Sequence, residues 1–223
     1  MDFMKWLNSL DELLYEVMSW LLFFPLTVWR ATVHPLHTMG YVARQAALPE
    51  QEQYGSLLSP PLFLALSLLL AHGVSTALGQ TDAIIANQDG LAALVSDNAS
   101  ALILRVIIFA AFPLFMAARL VRVRGAALDR STLRLPFYEQ CYPTAVFALA
   151  LSIGTSLAQT AETGAQRLGT ALLVAGLADY VWVEVRWFAA AQARGIVRAI
   201  GNVLLAFIQG AAFFFAIGFL FTR

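Results

Sequence analysis

Three ionisable side chains fall inside apolar runs: His72 in "PPLFLALSLLLAHGVSTALG", Arg105 in "ALILRVIIFAAFPLF" and Asp179 in "GTALLVAGLADYVWVEVRWFAAA". Charge inside a membrane is expensive. Where it occurs it faces a bundle interior or a wet cavity, and it marks an ion pair, a proton relay or a substrate path. At about 1.5 Å of rise per residue, His72 and Asp179 fall near the same mid-depth, and Arg105 lies about 7–8 Å further out, within reach of its long side chain. Arg105 is therefore the expected partner of Asp179, with His72 second. Two roles are open for this intramembrane polar cluster. It can fix the register of two helices, or it can carry protons or a solute. Asp179 shares a helical stripe with Trp182 and Arg186. Glu184 points elsewhere and lies nearer the cytoplasmic end, where an arginine of an inner loop is its expected partner.

Other chemistry is not in view. The sequence holds no HExxH pair, no glycine-rich phosphate loop and no GxSxG elbow, and its only lysine is Lys5. His34 and His37 flank Pro35 without a third ligand nearby, so no metal site is expected. Cys141, the single cysteine, excludes an intrachain disulfide. The expectation is a protein that is not an enzyme and needs no cofactor.

The elements that would hold these residues are membrane helices. The chain has 223 residues, 60% of them hydrophobic and 13% charged, and a mean hydropathy of +0.71. Soluble domains are nearer half apolar and a quarter charged. The formal net charge is zero, so no basic field points to nucleic acid as a partner. A span needs about 20 mainly apolar residues. Windows at 60–79, 99–121, 142–160, 168–188 and 199–221 qualify. A further run, "WLLFFPLTVW" at 20–29, is short and holds Pro25, so it is read as interfacial or buried against protein rather than as a span.

Charge orients the chain. Residues 80–98 carry Asp82, Asp89 and Asp97 and no basic group, whereas 122–136 carry Arg122, Arg124, Arg130 and Arg134. Arg194 and Arg198 mark a second basic turn. The positive-inside rule then puts the N-terminus and both basic loops in the cytoplasm and the C-terminus outside. Arginine-rich, alanine-rich composition favours a bacterial inner membrane. The expected fold is all-α: a polytopic transmembrane bundle of five spans with an N-terminal amphipathic helix. Residues 1–59 form a cytoplasmic or interfacial segment and 60–223 the membrane domain.

In that first segment Phe3, Leu7, Leu10 and Leu14 recur at helical spacing, and Trp6 widens their face. Asp11, Glu12 and Glu16 outnumber Lys5 on the polar side. Helices that seek the anionic leaflet usually carry a basic face. Contact with the membrane surface and contact with a protein partner both stay open for these residues. Small residues in "SIGTS", "AGLA" and the last span, where Gly210 and Gly218 share a face, suit close helix packing.

Five spans preceded by "FFPLTVWRATVHP" (23–35), with "FYEQCYPTAVFALAL" (137–151) opening the third, resemble bacterial members of the Yip1 family. The resemblance covers about residues 20–221, with Tyr142 and Pro143 as its "Y…P" motif. It implies an all-helical membrane bundle. Eukaryotic relatives act in vesicle trafficking through small GTPases and one another, and bacterial ones are often labelled permeases. The basic 122–136 loop has no counterpart motif in that family, so a trafficking role is not carried over. Two functions follow as expectations. The first is a scaffold or accessory subunit that binds lipid and other membrane proteins or further copies of itself. The alternative is a small permease-like transporter or channel built on His72, Arg105 and Asp179.

Overall fold

The computed structural model describes residues 2–80, 98–192 and 195–221. Among them are seven α-helices and no strand: α1 (Asp2–Val33), α2 (Pro35–Gln45), α3 (Pro60–Ala77), α4 (Asn98–Val123), α5 (Arg130–Ala158), α6 (Thr163–Gln192) and α7 (Ile196–Phe221). The all-α membrane bundle expected from composition is what the chain builds. The acidic loop with Asp82, Asp89 and Asp97 lies outside the described residues, as does Arg194. So do the side chains of Phe3, Trp6 and Leu7, and the packing of Gly218.

Among the described residues six helices are long and apolar enough to cross a membrane, one more than the hydropathy windows suggest. The sixth is α1. Its apolar stretch runs Leu10–Val33, straight through Pro25. The 20–29 run looks short only when cut off from the helix before it. Pro25 costs one backbone donor, yet the helix continues. Near this point the Thr27 hydroxyl donates to the Phe23 carbonyl at 2.6 Å and accepts from the Leu58 N–H at 3.2 Å.

Helix α1 runs antiparallel along α3. Thr27 meets Leu58, Phe24 meets Phe63 at 5.6 Å between ring centroids, and Val17, Trp20 and Leu21 share a groove with Leu66, Leu69 and Leu70. Each step toward the start of α1 is thus a step toward the far end of α3. The Leu58 carbonyl in turn accepts from Tyr142 of α5 at 2.8 Å. Both backbone groups of Leu58 are satisfied by side chains, as burial in a low-dielectric interior demands.

Helix α5 is central. It begins twelve residues before the expected window because Asp129 caps it: its carboxylate accepts from the N–H groups of Ser131 (2.8 Å) and Thr132 (2.9 Å), and Thr132 returns the bond to the Asp129 N–H. The Ser131 hydroxyl and these amides hold the Asp129 carboxyl below its ordinary range. On one side α5 joins a core with Phe63, Leu68 and Val42; on the other Phe147 stacks on Tyr180 at 4.8 Å within a core that includes Met116, Leu120 and Phe207.

The closest approach in the bundle is between α5 and α6. A Cβ added to Gly169 would lie 2.5 Å from the Gly154 carbonyl oxygen, and one added to Gly176 would lie 2.5 Å from the Ala150 Cβ. The small residues of "SIGTS" and "AGLA" therefore do what their size suggests. Gly210 also packs tightly, its missing Cβ 3.1 Å from the Phe112 ring.

Gly169→Ala should force the α5 and α6 backbones apart and cost about 1–3 kcal/mol. The measurement is thermal unfolding in detergent, with Gly73→Ala as control. Gly73 has nothing within 4 Å of its would-be Cβ, so that control should unfold at the same temperature or slightly higher. Equal behaviour of the two variants would contradict the close seam.

Candidate functional site

The structure places His72 on α3, Arg105 on α4 and Asp179 on α6, each half-buried. It does not join Asp179 to Arg105. Among the described residues no basic group lies within ion-pair distance of Asp179. The reason is rotational. The stripe that Asp179 shares with Trp182 and Arg186 is the outward face of α6, where Trp182 and Arg186 are exposed. Helices α4 and α6 also share little contact, because α5 and α7 each pack against both. Equal depth in the membrane is not proximity.

The polar interior lies elsewhere, at the half of the α5–α6 seam nearer the start of α5. Glu139, Gln140 and Thr144 come from α5, and Tyr180, Glu184 and Trp187 from α6. All but the half-buried Trp187 are buried, and Gln140, Thr144 and Glu184 have no exposed surface at all. Because the helices are antiparallel, these side chains meet as rungs. Trp187 faces Glu139, Glu184 faces Gln140, and Tyr180 faces Thr144. The register is the same one that sets Gly176 against Ala150 and Gly169 against Gly154.

The rungs bring hydrogen-bonding groups together but fall short of close hydrogen-bond geometry. Both Glu184 oxygens, both amide atoms of Gln140, the Thr144 and Tyr180 hydroxyls and the Trp187 indole N–H lack a hydrogen-bond partner among the described residues. Only Glu139 has a counter-ion, Arg124, at 3.6 Å. The expected partner of Glu184, an arginine of an inner loop, thus belongs to Glu139 instead. Glu184 is wholly interior, where an unpaired charge costs several kcal/mol, on the order of a broken buried ion pair.

The hydropathy reading used Glu139 as the border of the third span and treated Glu184 as interfacial. The missed signal was the Asp129 cap in "DRST". It starts the helix at Arg130 and so sets Glu139 about two and a half turns inside it. Arg186, by contrast, is exposed. Among the described residues no group of three or more histidine, cysteine, aspartate or glutamate side chains is placed to hold a metal ion.

The cavities described for the chain are lined by other residues. On the loop side, Gln53, Tyr54, Arg134 and Tyr138 line a cavity of about 300 Å³. Burial, with Tyr138 and Tyr41 nearby, pushes the Tyr54 phenol up to about 12. Neither protein-family models nor comparisons with curated proteins and solved structures give a match to the chain.

Two double-mutant cycles check this geometry by thermal unfolding. Arg124→Gln leaves the Glu139 carboxylate buried without its counter-ion. The expected loss is about 2 kcal/mol, below the value for a fully buried pair because Arg124 is partly solvated. Adding Glu139→Gln should recover much of it. Asp179→Asn and Arg105→Gln, in contrast, should simply add. Coupling in the second cycle and none in the first would reverse the assignment.

Proposed function

We propose that the chain is a non-enzymatic scaffold or accessory subunit of a bacterial inner membrane, and that α1 is the helix that meets its partner. The observation that carries this reading is the contrast between α1 and the helices behind it. Across its apolar window α1 buries 6% of its residues against the chain, whereas α5 buries 50%. Leu13, Leu14, Tyr15, Met18, Leu21 and Leu22 are all exposed. Lipid could cover such a face. It covers poorly the exposed acids Asp11, Glu12 and Glu16 on the same stretch. Val17 stands abreast of Leu69 and Leu70, so Glu16 lies about 10 Å short of the level where α3 ends. Acidic groups at such depth normally face protein or water. A partner helix that supplies donors to Glu16 and apolar surface to Leu13 and Leu14 would meet both demands.

The same antiparallel packing supports six crossings. With Arg30 and Arg44 after α1 and the arginines at 122–134 all on the cytoplasmic side, both termini face out. On this reading the N-terminus is external, where the sequence reading has it cytoplasmic. A reporter fused before Met1 should read as external, as should one after Arg223, and one in the 122–136 loop as cytoplasmic. A cytoplasmic N-terminal reporter would return α1 to the membrane surface.

A photo-crosslinking residue at Leu14 should give a discrete protein adduct in native membranes, and the same residue at the exposed Leu204 of α7 should give only lipid. An adduct of twice the chain mass identifies a second copy as the partner. With the crosslinking residue moved to the neighbouring exposed Leu13, Leu10→Asp with Leu14→Asp should abolish the adduct while the remaining spans stay inserted. Lipid adducts alone at Leu14 would remove the scaffold reading.

A permease-like transporter is the second reading, and Glu184 is what favours it: a wholly buried carboxylate with no counter-ion among the described residues, next to Glu139. It requires that Glu184→Gln abolish uptake by proteoliposomes while the protein stays folded. A purely structural Glu184 should tolerate the amide, with unfolding at an equal or higher temperature.

A further inference from the structure

The structure assigns a binding site for an anionic phospholipid to the arginine-lined groove between α4, α5 and α7. The groove has two compartments. One, of about 570 Å³, is walled by Leu114, Phe115, Arg119, Arg122 and Leu133, with Gln209 of α7 opposite. The other, of about 820 Å³, shares Leu114 and Leu133 with the first and adds Arg130, Arg134 and Phe137. Four arginines thus line two compartments that share one apolar partition.

Their other engagements are few. The Arg119 Nε donates to the Asn202 Oδ1 at 2.7 Å, which anchors the guanidinium to α7. Arg134 lies over the Tyr138 ring and 3.9 Å from the exposed Glu50. Among the described residues no carboxylate lies within ion-pair distance of Arg119, Arg122 or Arg130. The nearby Asp129 carboxylate is taken up by the first amides of α5, and Glu139 by Arg124. The groove keeps a net positive charge that the described residues do not neutralise.

The shape selects the ligand. Arg119 and Arg122 occupy the last turns of α4, and Leu114 lies about 8–12 Å deeper along the same helix. That is the order of a phospholipid, with phosphate at the arginines and acyl chain on Leu114, Phe115 and Phe137. A free phosphate would use the arginines and leave the apolar walls unexplained. Basic pockets between helix ends at the cytoplasmic face are suited to anionic headgroups, and guanidinium matches phosphate oxygens in pairs. This site is independent of α1 and of the scaffold reading.

The test is native mass spectrometry of the full-length protein from nanodiscs of equal phosphatidylglycerol and phosphatidylcholine. The wild type should retain phosphatidylglycerol, and Arg122→Gln with Arg130→Gln should retain about 30-fold less, each arginine near the surface contributing about a factor of five. The exposed Arg186→Gln, outside the groove, should behave as wild type. Unchanged phosphatidylglycerol retention in the double variant would overturn the assignment. If that variant does not fold, the wild type decides: it should melt at a higher temperature in phosphatidylglycerol than in phosphatidylcholine, and equal melting would overturn the site. Glycerol phosphate at millimolar concentration should leave the retained lipid in place. Its displacement of the lipid would mean that a soluble phosphate is the true ligand and would overturn the commitment to lipid.

Discussion

The separation of α5 and α6 is the constraint on which the rest of the bundle depends. Gly169, Gly154, Gly176 and Ala150 let the two backbones approach until no added Cβ would fit. In a membrane no hydrophobic force draws helices together, and close backbone approach with its many dispersion contacts takes over that role. Fixing this pair fixes its register. The register in turn decides what is interior at the other end of the seam, where Glu139, Gln140, Thr144, Tyr180 and Glu184 face one another away from lipid. One continuous contact thus joins a small-residue half to a polar half, and α5 carries both buried apolar cores on its flanks.

The polar half reads as a specificity device. Unclosed rungs contribute little to stability, and an unpaired interior carboxylate detracts from it. Side chains of this kind make any other register of α5 against α6 worse, because a slip would turn Glu184 or Gln140 toward lipid. Buried polar groups that fix register have precedent as a general mechanism. Arg124 supports the arrangement from the loop side by holding Glu139. Leu58 does the same on the other flank, clamped between Thr27 and Tyr142.

Much of this was legible in the sequence, and the failures share one cause. Hydropathy gave five of the six long apolar helices, and the small residues Gly154, Gly176 and Gly210 pointed to tight packing. Depth along a helix can be counted from a sequence. Rotation about its axis requires an amphipathic pattern, and α6 is apolar on nearly every side. Asp179 therefore drew attention by its depth although its stripe faces outward, while Glu184 looked peripheral although it is the interior residue. The sequence reading leaves Glu139 outside the third window and puts Glu184 at the interfacial end of the fourth, placements that fail wherever a charge turns inward. The continuity of α1 was hidden by Pro25, whose propensity penalty tertiary contacts at Thr27, Phe24 and Trp20 outweigh.

The account rests on an interior that is packed and dry along the α5–α6 seam, so that its polar groups hold helices rather than line a path. Thr144→Cys in a Cys141→Ala background puts a near-isosteric thiol into the middle rung as the sole cysteine. Labelling of intact membranes with a small, water-soluble, membrane-impermeant maleimide measures access directly. The account predicts no labelling until the protein is denatured. Labelling of the folded protein from either side would mean that water reaches the seam, which contradicts the account and makes Glu184 part of a conduction path.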